Sequence, residues 1–140
     1  MKIYFCGSIR GGRQDSALYT TFIDLLKEKG CVLTEHIAQD KAVEIGREGT
    51  DSEIWQRDTA WLRECDIVIA ECTQVSLGVG YELAYAESLG KTIHVFFRGD
   101  PLFLSAMIAG NPNFSIHYYQ TTEELADLTG RIFPDQGKKT

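Results

Sequence analysis

Short apolar runs rich in β-branched and aromatic residues alternate along this chain with longer stretches whose apolar positions recur every three or four residues. Strands are expected near 2–6, 31–35, 66–71, 92–97 and 115–119, and helices near 15–29, 51–64, 79–89, 101–109 and 121–133. The first helix gathers Leu18, Phe22, Leu25 and Leu26 on one face and stops at Gly30, a residue suited to the position after a helix end. The last opens with Thr121-Thr122-Glu123-Glu124, a capping-type start. Strands alternating with helices imply βαβ crossovers. The expected fold is α/β, a flavodoxin-like doubly wound sandwich whose five parallel strands run in the order 2-1-3-4-5. Residues 1–134 read as a single domain and 135–140 as a flexible polar tail; the polar stretch from Ala38 to Thr50, with Gly46 and Gly49, reads as a lid or a surface loop.

Composition narrows the partners. A chain of 140 residues supports one core without staples, and a net charge of −6 with a pI near 5.0 offers no basic face for nucleic acid. A local site for a small anion stays compatible with that balance. No apolar run approaches the ~20 residues of a membrane span. Met1-Lys2 leads straight into Ile3-Tyr4-Phe5 without a signal-peptide pattern, so a cytoplasmic or nuclear protein with no membrane partner is expected. Cys6, Cys31, Cys65 and Cys72 form no CxxC pair and have no histidines nearby, which favours free thiols over disulfides or a metal site. His94 and His117 sit inside strand patterns and read as structural; only His36, at a strand end, has a claim on a ligand.

Candidate chemistry collects at two strand-to-helix turns. In the expected strand order, the turns after strands 1 and 3 meet at the topological switch point, where open α/β sheets bind ligands. The first turn reads Gly7-Ser8-Ile9-Arg10-Gly11-Gly12-Arg13, joining flexible backbone, a hydroxyl and two guanidinium groups. Glycine lets N–H groups close around an anion and arginine grips phosphate through paired hydrogen bonds, although a solvated turn would show the same residues. Neither a P-loop nor a GxGxxG spacing fits. The second turn carries Ser76, Gly78 and Gly80, followed by Glu82.

Glu82 is the leading carboxylate. Capping its helix would suit it too, but a side chain leaning back toward the helix N-terminus points into the crevice. Glycosidic chemistry commonly uses a pair of carboxyls, one at the anomeric carbon and one for the leaving-group proton. Asp58, between Trp55 and Trp61, is the first choice for the second member, with Glu35 and Glu71 at strand ends as substitutes. Asp66 reads as a residue that caps or begins its strand.

Four segments, Tyr4 to Arg13, Leu33-Thr34-Glu35-His36, Thr73 to Leu83 and Leu104-Ser105-Ala106-Met107-Ile108, carry a likeness that spans roughly residues 2–133. Taken together they closely resemble the Rcl family of 2′-deoxynucleoside 5′-monophosphate N-glycosidases, also described as 5-hydroxymethyl-dUMP N-hydrolases. The resemblance implies hydrolysis of a deoxynucleotide to free base and 2-deoxyribose 5-phosphate. It implies Glu82 as nucleophile, Asp58 as general acid and Tyr4 as the residue orienting the nucleophile. It further implies a nucleotide and phosphate cradle from Gly7, Ser8, Ile9, Arg10, Gly11, Gly12, Arg13, His36, Ser76 and Gly78. Ser105 matches a phosphate ligand given by the neighbouring subunit, so a homodimer with shared sites is implied, with no metal or organic cofactor. Departures between Ala38 and Gln56, including Ile54-Trp55, and from Phe97 to Phe103 concern stretches expected to border the base. The alternatives are the related nucleoside 2-deoxyribosyltransferases, which pass the sugar to another base, and a non-catalytic nucleotide-binding module.

Overall fold

The computed structural model describes residues 1–8, 16–38 and 49–134. The chain runs β1 (Lys2–Cys6), α1 (Ser16–Lys27), β2 (Cys31–Val32), α2 (Asp51–Glu64), β3 (Ile67–Glu71), α3 (Leu77–Ser88), β4 (Thr92–Arg98), α4 (Ala106–Ala109), β5 (Phe114–Tyr119) and α5 (Thr122–Ile132). Short 3-10 turns occupy Glu35–Ala38 and Pro101–Phe103. All neighbouring strands are parallel in the order β2-β1-β3-β4-β5, with Ile3 opposite Ile67, Ala70 opposite Val95 and Arg98 opposite Tyr119. The expected sheet order is therefore the observed one.

Helices on both faces explain why the inner strands are apolar throughout rather than alternating with polar residues. Successive side chains of β1 still point to opposite sides. Ile3 and Phe5 join Phe22, Leu26, Ile69, Phe96, Tyr119 and Leu125 in the core beneath α1 and α5. Tyr4 and Cys6 face the other way, among Leu62, Val68, Ala70, Val79 and Leu83 beneath α2 and α3. That second face carries the chemistry. In the first core Phe22 packs edge-on against Phe5 at 5.2 Å and Phe96 at 4.8 Å between ring centroids.

Three local expectations are corrected. The second strand covers only Cys31–Val32, not 31–35. The buried Thr34 hydroxyl accepts from Phe5 N at 2.9 Å and donates to Phe5 O at 2.7 Å, so a side chain replaces the next rung of the ladder and the backbone turns away. Thr34→Val keeps the shape and leaves both Phe5 groups unpaired, so it is expected to cost about 1–2 kcal/mol in urea unfolding.

The helix expected over 101–109 is split. Asp100 caps the Pro101–Phe103 turn by accepting from Leu102 N at 2.9 Å, and Leu104, extended and buried, breaks the run before α4. Finally, α3 starts two residues earlier than expected, at Leu77. Ser76 Oγ accepts from Val79 N at 3.2 Å as its N-cap, so Gly78 and Gly80 lie inside the first turn of the helix instead of in the preceding loop. Gly30 has a steric reason to be glycine, since a Cβ there would fall 2.5 Å from Met1 O, beside the hydrogen bond that starts β2. Among the described residues no helix is long and apolar enough to cross a membrane.

Candidate active site

The period of two in β1 sends Tyr4 and Cys6 to the same side of the sheet, and the early start of α3 brings Glu82 down over them. Tyr4 Oη donates to Glu82 Oε2 at 2.5 Å, a contact between residues 78 apart in sequence. The Cys6 thiol lies close enough to act on the same carboxylate. Burial is the largest influence on Glu82 and pushes its pKa up to about 7; the Tyr4 hydrogen bond and the Cys6 thiol pull it down, and the negative charge of Asp58 adds to the rise. Burial and then the Glu82 charge hold the Tyr4 hydroxyl far above its ordinary range, and the Cys6 thiol rises for the same reasons. Both groups therefore stay protonated. A Cβ at Gly78 would stand 3.8 Å from both Glu82 Oε1 and Ser76 Oγ, so this glycine borders the other carboxylate oxygen and adds no side chain there.

Asp58 approaches from α2. Leu62, one turn later on the same helix face, is fully buried, and its packing directs that face inward. Asp58 is close enough for its charge to act on both Glu82 and Tyr4. Two polar contacts hold α2 against α3: Trp55 Nε1 donates to Tyr81 Oη at 3.1 Å, and Arg63 Nη1 to Tyr85 Oη at 2.9 Å. The two tyrosines stack, 6.1 Å between centroids. Such bracing sets the spacing between the two carboxylates. His36 reaches the same area, its ring 6.0 Å from that of Trp61.

The substitute carboxylates are placed elsewhere. Glu35 is exposed and pairs with Lys27 at 3.1 Å. Glu71 is buried on the opposite face of β3 from Val68 and Ala70, where it accepts from Thr73 N at 2.6 Å and from Tyr119 Oη. Asp66 accepts from Lys2 N at 2.7 Å, tying β3 to β1 in the structural role expected of it. His94 Nδ1 and His117 Nε2 lie 2.8 Å apart in a stacked pair, and burial lowers the pKa of both rings. They too are structural.

At the other end of the crevice, Gly7 passes so close to Tyr19 that a Cβ would lie 3.0 Å from its ring. Ser8 N donates to Tyr19 Oη at 3.0 Å, while Ser8 Oγ is fully buried and, among the described residues, has no hydrogen-bond partner. An orphaned buried hydroxyl is costly unless a ligand completes it. Ser105 is exposed at the N-cap of α4, with no side-chain cap bond. Ile9, Arg10, Gly11, Gly12 and Arg13 lie outside the described residues, as do most of the loop from Ala38 to Thr50 and the tail from 135 onward.

A family model described as nucleoside 2-deoxyribosyltransferase matches residues 3–132. The chain belongs to that family. Within it, a mouse protein named 5-hydroxymethyl-dUMP N-hydrolase is 48% identical over 137 residues, covering 94% of this chain and 79% of its own length. The human protein of the same name is 49% identical over 137 residues, with 94% and 78% covered. A Nematostella vectensis protein named putative 2′-deoxynucleoside 5′-phosphate N-hydrolase 1 is 47% identical over 138 residues, with 94% and 93% covered. Among solved structures, a CMP N-glycosidase from Clostridium botulinum shares the fold with a TM-score of 0.67 at 16% identity, covering 94% of this chain and 99% of its own.

In this nucleoside 2-deoxyribosyltransferase-family chain the structure brings together Tyr4, Asp58 and Glu82, which the sequence singles out, and sets beside them Cys6, which the sequence reading passes over. The signal was there in the Tyr-x-Cys spacing, which puts both side chains on one face of a strand. The Trp55 to Tyr81 and Arg63 to Tyr85 braces left no such trace, because they join different helices. Among the described residues no group of three or more His, Cys, Asp or Glu side chains comes together as a metal site would require.

Proposed function

We propose that this protein is an N-glycosidase that hydrolyses 2′-deoxynucleoside 5′-monophosphates, 5-hydroxymethyl-dUMP among them, to free base and 2-deoxyribose 5-phosphate. The observation that carries this reading is the buried Glu82 carboxylate held by Tyr4, with Asp58 beside it. Relatives named N-hydrolases at nearly half identity support it.

In the first step a Glu82 oxygen bonds to C1′ as the C1′–N bond breaks, and Asp58 gives its proton to the departing base. Water then attacks C1′ as the Asp58 carboxylate takes a proton from it, and Glu82 leaves with its original charge. Positive charge develops on the sugar in the transition state of each step. A 2-deoxy sugar carries no electron-withdrawing 2′-hydroxyl and reaches that state more easily, so deoxynucleotides react faster than ribonucleotides. Tyr4 keeps one carboxylate oxygen fixed, which leaves the other to attack.

The 5′-phosphate fits the other end of the crevice. Ser8 Oγ supplies an unpaired donor, Ser76 keeps its hydroxyl hydrogen while its oxygen caps α3, and the first turn of α3 presents free N–H groups. Gly7, the segment from Ile9 to Arg13 and His36 belong to the same proposed cradle. Ser105 completes it from a second copy of the chain. Leu102, Phe103 and Met107 surround Ser105 in sequence and are 87, 81 and 84% exposed, an apolar patch that suits burial in a homodimer.

The test is a panel of ribo- and deoxynucleoside 5′-monophosphates, with the matching deoxynucleosides, assayed chromatographically for free base. Each good 5′-monophosphate is expected to exceed its nucleoside in kcat/KM by at least about tenfold, since a charge-assisted hydrogen bond contributes about 1.5–3 kcal/mol. Equal rates for both, or base exchange faster than hydrolysis when a second base is added, would favour deoxyribosyl transfer instead. The shared site has its own test. Mixing Glu82→Gln with Ser105→Ala subunits is expected to restore about a quarter of wild-type activity, because half the dimers then hold one intact site.

A further inference from the structure

Neighbouring residues on a helix point about 100° apart and do not ordinarily face each other, yet Arg57 Nε lies 2.9 Å from Asp58 Oδ1. The explanation is one turn further along. Arg57 Cζ sits 5.0 Å from the centroid of the Trp61 ring, an i to i+4 cation–π contact that turns the guanidinium back along the helix. Trp61 is steadied by the His36 ring at 6.0 Å and by the core beneath α2, against which it packs. Both members of the ion pair are partly exposed, with 30% of the Arg57 and 29% of the Asp58 side-chain surface open.

We propose that Arg57 is a positioning residue for proton delivery to the leaving base. It clamps Asp58 in one rotamer through Oδ1, which leaves Oδ2 to meet the leaving base, and Trp61 is the platform that keeps the clamp in place. The inference rests on the reading of Asp58 as general acid. A charged pair of this exposure adds little to stability, so its effect falls on geometry. Displacing a reacting group by about 1 Å costs on the order of 100-fold.

The experiment compares base release in the first turnover from dGMP and from N7-methyl-dGMP, whose cationic base departs without needing a proton; the later water step, which also uses Asp58, then stays outside the measured rate. The proteins are wild type, Arg57→Ala, Arg57→Lys, Asp58→Asn and the Arg57→Ala/Asp58→Asn double variant. On dGMP, Arg57→Ala is expected to lower the saturating first-turnover rate by about 10- to 100-fold with KM little changed. On N7-methyl-dGMP the same variant is expected to match wild type, which also shows that it is folded. Arg57→Lys is expected to recover only part of the dGMP rate, because lysine keeps the charge but not the planar fork or the stacking. Asp58→Asn is expected to be equally slow with or without Arg57→Ala.

A loss of the same size on both nucleotides overturns the positioning role. So does a raised KM at an unchanged saturating first-turnover rate, or a further loss in the double variant. Arg57→Ala at wild-type speed on dGMP while Asp58→Asn is impaired removes Arg57 and leaves the proposed reaction standing. An Asp58→Asn enzyme equally impaired on both nucleotides removes the general-acid reading, and the role of Arg57 with it.

Discussion

Glu82→Gln is expected to lower base release by about 10⁴-fold or more, the scale on which removing a covalent nucleophile acts. The amide retains the shape and the contact with Tyr4 but cannot form the ester to C1′. Single-turnover assay with a deoxynucleoside 5′-monophosphate checks this, and wild-type turnover by the variant would remove Glu82 as nucleophile. The same substitution should stabilise the fold at neutral pH. Raised from 4.5 to about 7, the carboxyl binds its proton more tightly in the folded than in the unfolded chain. Its favourable contribution is complete below about pH 4.5 and is lost as pH rises through 7. At about 1.4 kcal/mol per pH unit, this amounts to about 3–3.5 kcal/mol. Wild type should therefore lose stability between pH 5 and 8 relative to Glu82→Gln, with the two alike near pH 4. Thermal unfolding across that range reads the difference, and parallel curves would contradict the buried, strained carboxylate.

Tyr4→Phe tests how that carboxylate is kept reactive. Attack needs the ionised form, so kcat/KM of the wild type is expected to fall on the acid side of about pH 7. The Tyr4 hydrogen bond stabilises the ionised form against burial. Removing it shifts the acid limb to higher pH and costs about 10- to 100-fold at pH 6, the equivalent of a charge-assisted hydrogen bond. A Tyr4→Phe profile superimposable on wild type would show that the hydroxyl only packs.

These two residues also mark how far the sequence reaches. Tyr4 lies in a five-residue apolar strand whose period makes its face certain and whose partner it leaves unstated. Glu82 is legible as a carboxylate at the start of a helix beside glycines. Its elevated proton affinity is not, because that depends on desolvation by residues from β1, α2 and α3 together. Asp58, Glu35 and Glu71 show the same division. All three are acids near the end of a strand or within a helix, and the chain alone ranks them weakly. Packing separates them: Leu62 turns Asp58 inward, Lys27 takes Glu35 at the surface, and the pleat of β3 sends Glu71 to the face away from the crevice.

Elements misread from sequence failed for a related reason. Residues 31–35 suit a strand, and the apolar spacing of 101–109 suits a helix. Thr34 instead bonds to Phe5, 29 positions away, and Leu104 breaks the helix by going into the core. By itself the sequence determined the alternation of strands and helices and with it a parallel sheet, whose order 2-1-3-4-5 is the common flavodoxin-like one and places a crevice where two turns meet. These follow from local propensity and periodicity, which neighbouring residues carry. Tertiary structure alone decided which acid stands beside Glu82, which hydroxyl holds it and how tightly it keeps its proton, because burial and charge act through space between residues the chain keeps far apart.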